Sequence, residues 1–167
     1  IDELGTALLK ADLEMPNFGD VSSQTIGGAL STGTHGTGPR FTNLSGTLIG
    51  GRLVTGSGEI LDFSEESDPD LVRAARVSLG VLGVFTQVKL RLLPAYKIER
   101  REYWTTYDRC RDRLEPLARD NQHFDFYWYP RSDRIKLRLL NPPGGGTPDL
   151  GYASLDEVRS GWAHAMI

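Results

Sequence analysis

Residues 25–38 read TIGGALSTGTHGTG, and no other stretch limits the fold as strongly. Five glycines here open backbone angles that are closed to other residues and remove side chains that would hold a ligand off the main chain. Five hydroxyl residues, Thr25, Ser31, Thr32, Thr34 and Thr37, are interleaved with them. The bias is local, since ten of the chain's 19 glycines lie between Gly27 and Gly58. Such a run offers N–H and O–H groups to an anion or to heteroaromatic edges. Composition alone fits two outcomes: a seat for a nucleotide cofactor, or a Gly-rich surface loop.

The common phosphate and hydrolase motifs are absent. There is no G-x-x-x-x-G-K-[ST] loop, the glycines do not follow G-x-G-x-x-G, and no G-x-S-x-G elbow occurs. His35, His123 and His164 lack ligand-like spacing, so no metal site is expected. The net charge is -3, with -6 over residues 1–66 and +5 over 67–138. No global basic field invites nucleic acid, and the arginines of 108–120, interleaved with acids, read as a solvated helix face. The single cysteine, Cys110, forbids an internal disulfide and matches a reducing compartment, hence a cytoplasmic location. Arginines around it would lower its pKa, although an inert structural thiol is the default reading. No run approaches the ~20 apolar residues of a membrane span. The first residues, IDELGTALLKADLE, carry no initiator Met and no signal-peptide pattern, and the chain reads as the middle of something longer.

The hydrophobic spacing predicts a helix over 2–12, with Leu4, Ala7, Leu8 and Ala11 on one face, and a short helix over 25–31 running into a tight loop. Residues 45–63 read as two strands joined at Gly56-Ser57-Gly58. A helix begins near 67–76, capped by Ser67 or Asp68, with Pro69 in its first turn. Residues 83–93 alternate, with Val84, Thr86, Val88 and Leu90 opposite Phe85, Gln87 and Lys89, as a strand. Further strands are expected at 96–106, 123–129 and 134–140. An amphipathic helix is expected at 107–120, with Leu114, Leu117 and Ala118 inward, and a flexible loop at 142–150. The tail from Ser154 reads as partly helical. Adjacent strands form hairpins instead of alternating with helices. That favours α+β with antiparallel sheet.

Pro16-Asn17-Phe18-Gly19-Asp20, Gln24-Thr25-Ile26-Gly27-Gly28-Ala29 and STGTHGTG at 31–38 resemble the FAD-binding domain of the sugar-lactone and alditol oxidases, within the vanillyl-alcohol-oxidase type of flavoproteins. Ser78-Leu79-Gly80-Val81-Leu82-Gly83-Val84-Phe85-Thr86 resembles that family's second flavin-contacting segment, and 123–130 resembles a strand of its substrate-side domain. The resemblance implies that residues 1–94 are the second part of an FAD-binding domain and 95–167 the beginning of a substrate or cap domain. It implies an FAD-dependent oxidoreductase acting on CH–OH groups of a sugar-derived lactone or polyol, with hydride passing to the flavin and oxygen or another acceptor reoxidising it. The alternative is a non-catalytic interaction module that keeps the fold.

Carried onto this chain, the resemblance places Asp20, Thr25, Gly28, Thr32, Gly33, Thr34 and His35 against FAD, largely through backbone groups. Gly83 and Val84 would close over the cofactor. For the threonines the competing role is local turn capping, and for Gly83 a helix-to-strand turn. No catalytic residue is assigned within the chain; His35 is read as a loop organiser or a flavin-side hydrogen-bond partner. Tyr127, Trp128 and Tyr129 form an aromatic run, with Tyr127 and Tyr129 on one strand face, for which core packing is favoured over sugar stacking.

Overall fold

The computed structural model describes residues 1–144 and the backbone of 161–163. The chain is α+β, and every strand pairing is antiparallel. It divides into two compact units, residues 1–36 with 41–95, and residues 37–40 with those described from Tyr96 on.

In the first unit the elements are α1 (Asp2–Lys10), β1 (Leu13–Glu14), α2 (Ile26–Ser31), β2 (Leu48–Val54), β3 (Ile60–Ser64), α3 (Pro69–Ala75), β4 (Val84–Leu90) and β5 (Leu93–Pro94). Only Leu8 of α1 is buried, and Ala7 and Ala11 face solvent instead of joining the expected stripe. The first of the two strands expected from residue 45 starts only at Leu48. Asn43 accepts from the Gly46 N–H and winds Leu44–Thr47 into a 3-10 turn. The hairpin turns through Gly58 at φ +83°. Asp68, not Ser67, caps α3, its carboxylate accepting from the Leu71 N–H at 2.9 Å, with Pro69 as the first helical residue.

The sheet runs in the order β3-β2-β4. Its strand β4 departs from the alternation in the sequence. Arg52 pairs with Gln87 and Leu53 with Phe85, so Thr86 is an extra, bulged residue. The bulge changes the face that follows it. Phe85 joins Val88 and Leu90 against the core of Met15, Phe18, Leu30, Leu44, Leu48, Leu53, Phe63 and Val72, and Val84 turns outward.

The second unit holds β6 (Ile98–Thr106), α4 (Tyr107–Cys110), α5 (Leu114–Asp120), β7 (His123–Trp128), β8 (Arg134–Asn141) and β9 (Gly161–Ala163), with sheet order β7-β8-β6-β9. The single helix expected over 107–120 is broken by a 3-10 turn at Arg111–Arg113. Pro116 accounts for this. In a continuous helix it would sit mid-element without an N–H and against the carbonyl four residues back, whereas restarting at Leu114 places it in a first turn. Ala118 is exposed and Leu117 is buried with Cys110, Ile135, Leu137 and Leu139. Residues 161–163 of the expected partly helical tail form a strand, and the rest of that tail and most of the 142–150 loop lie outside the described residues. Burial pushes the Cys110 thiol above its ordinary pKa, against the lowering that the neighbouring arginines suggest.

The aromatic run is not core. Trp128 is 61% exposed, and Phe126, Tyr127 and Tyr129 also reach solvent. Tyr127 shares the sheet face of Lys136, away from the buried Ile135, Leu137 and Leu139, while Trp128, on their side, packs on Tyr107.

His123 is buried, with Nδ1 2.9 Å from the Thr37 carbonyl. Burial holds its pKa below the ordinary 6.5, an effect that the Thr37 carbonyl and Asp125 partly oppose. The folded state therefore resists a proton that the unfolded chain accepts. Stability is full above the unfolded value and falls as pH drops toward the folded one. We expect the thermal midpoint to fall by a few degrees between about pH 7.5 and about pH 5.5, and His123→Gln to flatten that slope. An unchanged slope in the variant would contradict this assignment.

Candidate functional site

Two glycines in a six-residue helix make α2 intrinsically weak, so its ends must be fixed from outside. Thr25, in extended backbone, accepts the Gly28 N–H on Oγ1 at 3.1 Å. At the other end the Thr32 hydroxyl donates to the Gly28 carbonyl at 2.9 Å. Gly33 follows at φ +68°, and the Thr34 N–H then reaches the Ala29 carbonyl at 3.1 Å. This is a Schellman termination, which needs a left-handed residue at the Gly33 position. A Cβ on Gly33 would also press on both Val77 methyls at 3.4 Å.

The loop beyond is fixed at several points. The Gln24 amide and the Thr34 hydroxyl lie 3.1 and 3.3 Å apart through Nε2 and Oε1. The Thr34 carbonyl accepts from the Leu44 N–H at 2.8 Å. Gly36 lies so close to the Phe18 carbonyl and Asn17 that a Cβ would fall 2.1 and 2.2 Å from them. Gly19 packs on Thr34 in the same way, carrying exposed Asp20 beside the loop. His35 is exposed, with Nδ1 2.8 Å from the Gly36 carbonyl.

The last carbonyls of α2 are satisfied from a distant segment. The Val77 N–H donates to Leu30 at 3.1 Å and the Leu79 N–H to Ser31 at 2.9 Å. To do so the chain takes φ +54° at Val77, +53° at Leu79 and +76° at Gly80. A β-branched residue in that region is a true outlier, costing about 1–3 kcal/mol. The segment also inverts ordinary burial: Ser78 is inside at 8% exposure, while Leu79 and Val81 are 71% and 81% exposed. Val84, turned out by the bulge, adds to this shelf, and its cross-strand neighbours Val54 and Ile60 extend it. At the far end Gly83, at φ +141°, meets the Val54 carbonyl, where a Cβ would lie 2.2 Å from the oxygen.

The structure thus gathers Thr25, Gly28, Thr32, Gly33, Thr34 and His35 around the two ends of α2, with Asp20 beside them. Gly83 and Val84 stand apart, against Val54, at the other end of the 77–84 segment. The hydroxyls of Thr25, Thr32 and Thr34 bond within the protein, and so do the backbone N–H groups of Gly28, Thr32 and Thr34. The sequence places Leu79 and Val81 inside the segment that resembles a flavin-contacting one, without assigning either a contact, and does not mark Val77. Their signal was an aliphatic residue at alternate positions among glycines, which resembles a buried strand until the backbone angles are known.

A polar, glycine-lined loop joined to an exposed aliphatic shelf suits a ligand with a planar, largely apolar ring system and a polar, anionic part. FAD has that composition, and the residues present fit it. Residues 1–64 match the family model described as FAD binding domain, and residues 88–147 match the one described as D-arabinono-1,4-lactone oxidase. The chain belongs to the FAD-binding aldonolactone oxidase family. It is 41% identical over 138 residues to an L-gulono-1,4-lactone dehydrogenase of Mycobacterium tuberculosis, covering 83% of this chain and 32% of that one. It is 33% identical to an L-gulonolactone oxidase of Bos taurus (81% and 31% covered) and 32% identical to a D-arabinono-1,4-lactone oxidase of Yarrowia lipolytica (82% and 26%). The chain spans about a third of the length of the curated relatives it matches. Among solved structures, cholesterol oxidase from Brevibacterium sterolicum shares the fold, with a TM-score of 0.75 at 17% identity over 87% of this chain and 31% of that one. Among the described residues no helix is long and apolar enough to cross a membrane.

If the angle at Val77 is retained for ligand binding and not for stability, Val77→Asn should stabilise the chain by about 1 kcal/mol, because Asn tolerates the left-handed region. Urea denaturation measures this. Destabilisation of the same size would show that Val77 is unstrained where it stands.

Proposed function

We propose that this chain supplies part of the flavin seat, and the start of the substrate-side domain, of an FAD-dependent oxidoreductase that oxidises a CH–OH group of a sugar-derived lactone or polyol. The observation that carries this reading is the inverted burial at 77–84: aliphatic side chains outside, serine inside, and strained backbone holding them there. A segment that only had to close a helix-to-strand turn would not keep Leu79 and Val81 in water. The family match and the names of the relatives support the cofactor and the substrate class.

In this reading residues 1–94 are part of the FAD-binding domain and 95–167 begin the cap. Backbone groups of Gly28, Thr32, Gly33 and Thr34 face the polar part of the cofactor, with Asp20, Thr25 and His35 at the margin. Val77, Leu79, Val81 and Val84 exclude water from its ring system, and Gly83 lets that segment lie against β2. Bound FAD supplies the two-electron acceptor that no side chain provides. His35 organises the loop through the Gly36 carbonyl and does not take the substrate proton. The relatives' names divide between oxidases and dehydrogenases, and we take oxygen or another acceptor as the final oxidant. A cytoplasmic location is part of the proposal, resting on the single buried cysteine, which suits a reducing compartment.

The test is a titration of FAD with the purified chain, followed by flavin fluorescence. Saturable quenching is expected, with at least roughly tenfold weaker binding in Leu79→Asp, since a charge there must be desolvated against the ring. No quenching, or equal affinity in the variant, would favour the interaction-module reading, in which the aliphatic shelf covers a protein partner.

A further inference from the structure

The glycine-rich run makes an excursion over residues 34–44, and its neck is closed by the Leu44 N–H on the Thr34 carbonyl at 2.8 Å. On the outgoing side Gly36 is pinned by its close approach to Asn17 and Phe18. The next residues, Thr37–Arg40, belong to the second unit. There the Thr37 carbonyl meets His123 Nδ1 at 2.9 Å. A carbonyl can only accept, so Nδ1 carries the proton and the imidazole is the donor. His123 is an unusual residue for its place. It is 1% exposed, pairs with Leu140 across β7 and β8, and shares that sheet face with Ile98, both of which are fully buried. Burying a polar ring costs free energy that an apolar side chain in the same place does not. The position keeps a donor, and the Thr37 carbonyl receives it.

We infer that His123 is a positioning residue for the flavin loop: by holding the Thr37 carbonyl it fixes the far end of the run proposed to face FAD. The inference rests on the proposed function and adds to it a residue far outside the glycine-rich segment. The path from His123 to the loop is short and covalent. Thr34 is bonded through its N–H to Ala29 and through its carbonyl to Leu44, and only His35 and Gly36 separate it from Thr37. Gly33, at φ +68°, and Gly38, at φ +100°, flank this stretch. Glycines give a chain little stiffness of its own, so the bonds at the two ends set its shape. With Thr37 released, His35 and Gly36 are held from the Asn17–Phe18 side alone. The loop then samples more conformations, and FAD must order it on binding. The ring itself is closed to solvent, so His123 acts through Thr37 and not as a catalytic base.

The experiment compares the wild-type chain with His123→Leu, which fills the space without a donor, and His123→Asn, whose amide returns an N–H near the Nδ1 position. FAD affinity is read from flavin fluorescence, and exchange of the Leu44 amide from nuclear magnetic resonance of ligand-free samples. His123→Leu should bind FAD roughly fivefold more weakly at unchanged far-ultraviolet circular dichroism, while His123→Asn stays within about twofold of wild type. Leu44 should exchange faster in His123→Leu and at the wild-type rate in His123→Asn. His123→Phe, a ring without a donor, replaces His123→Leu if the latter loses its circular dichroism. Equal FAD affinity in wild type and His123→Leu, or an equal loss in the leucine and asparagine variants, would overturn the inference. Unchanged Leu44 exchange in His123→Leu overturns it too, whether or not FAD binds. A wild-type chain that fails to quench flavin, with faster Leu44 exchange in His123→Leu, sinks the flavin reading alone and leaves His123 as the residue that holds the loop.

Discussion

The Leu30 and Ser31 carbonyls at the end of α2 accept hydrogen bonds from Val77 and Leu79, residues more than forty positions away. Much of the first unit's exposed chemistry depends on those two bonds. A helix of six residues with two glycines has little stability of its own, and its final carbonyls would otherwise lose their backbone donors, leaving Leu30 with the Ser45 hydroxyl. Satisfying them from the 77–80 segment forces left-handed angles onto Val77 and Leu79. Those angles in turn bury Ser78 and lift the aliphatic side chains into solvent. One pair of backbone contacts thus closes a weak helix, strains a loop and builds an apolar shelf beside a polar one.

The glycines divide the work between conformation and space. Gly33 is needed for its angle, which lets Thr34 turn back onto Ala29. Gly36 is needed for its size, because the Asn17–Phe18 backbone occupies the place of a side chain. Gly83 combines both demands against Val54. The threonine hydroxyls hold the loop in place by bonds within the protein.

Much of this was legible in the sequence, for reasons that can be stated. Strand and hairpin periods located β2, β3, β6, β7 and β8, and Asp68-Pro69 marked the start of α3. The Gly-Thr run and its resemblance lie within residues 1–64, which match the FAD binding domain model. What escaped were effects that one residue exerts on its neighbours through the backbone. The bulge at Thr86 reversed the faces that strict alternation assigned to Val84 and Phe85. Pro116 split a helix whose hydrophobic spacing looked continuous. The aromatic run at 127–129 looked like core because large rings usually are, yet Tyr127 lies on the sheet face away from the Ile135–Leu139 core and Trp128, beside that core, stays exposed. Val77 carries no mark in the sequence at all, since its importance lies in an angle that valine seldom adopts.

The central claim is that the 77–84 segment is held in its strained, outward form to meet a flavin. Hydrogen–deuterium exchange of that segment, with and without saturating FAD, tests it most directly. The account predicts slowed exchange at the 80–84 amides on adding FAD, with no comparable change at the β6–β8 amides of the second unit. Unchanged exchange throughout 77–84 under conditions where FAD is bound would contradict it.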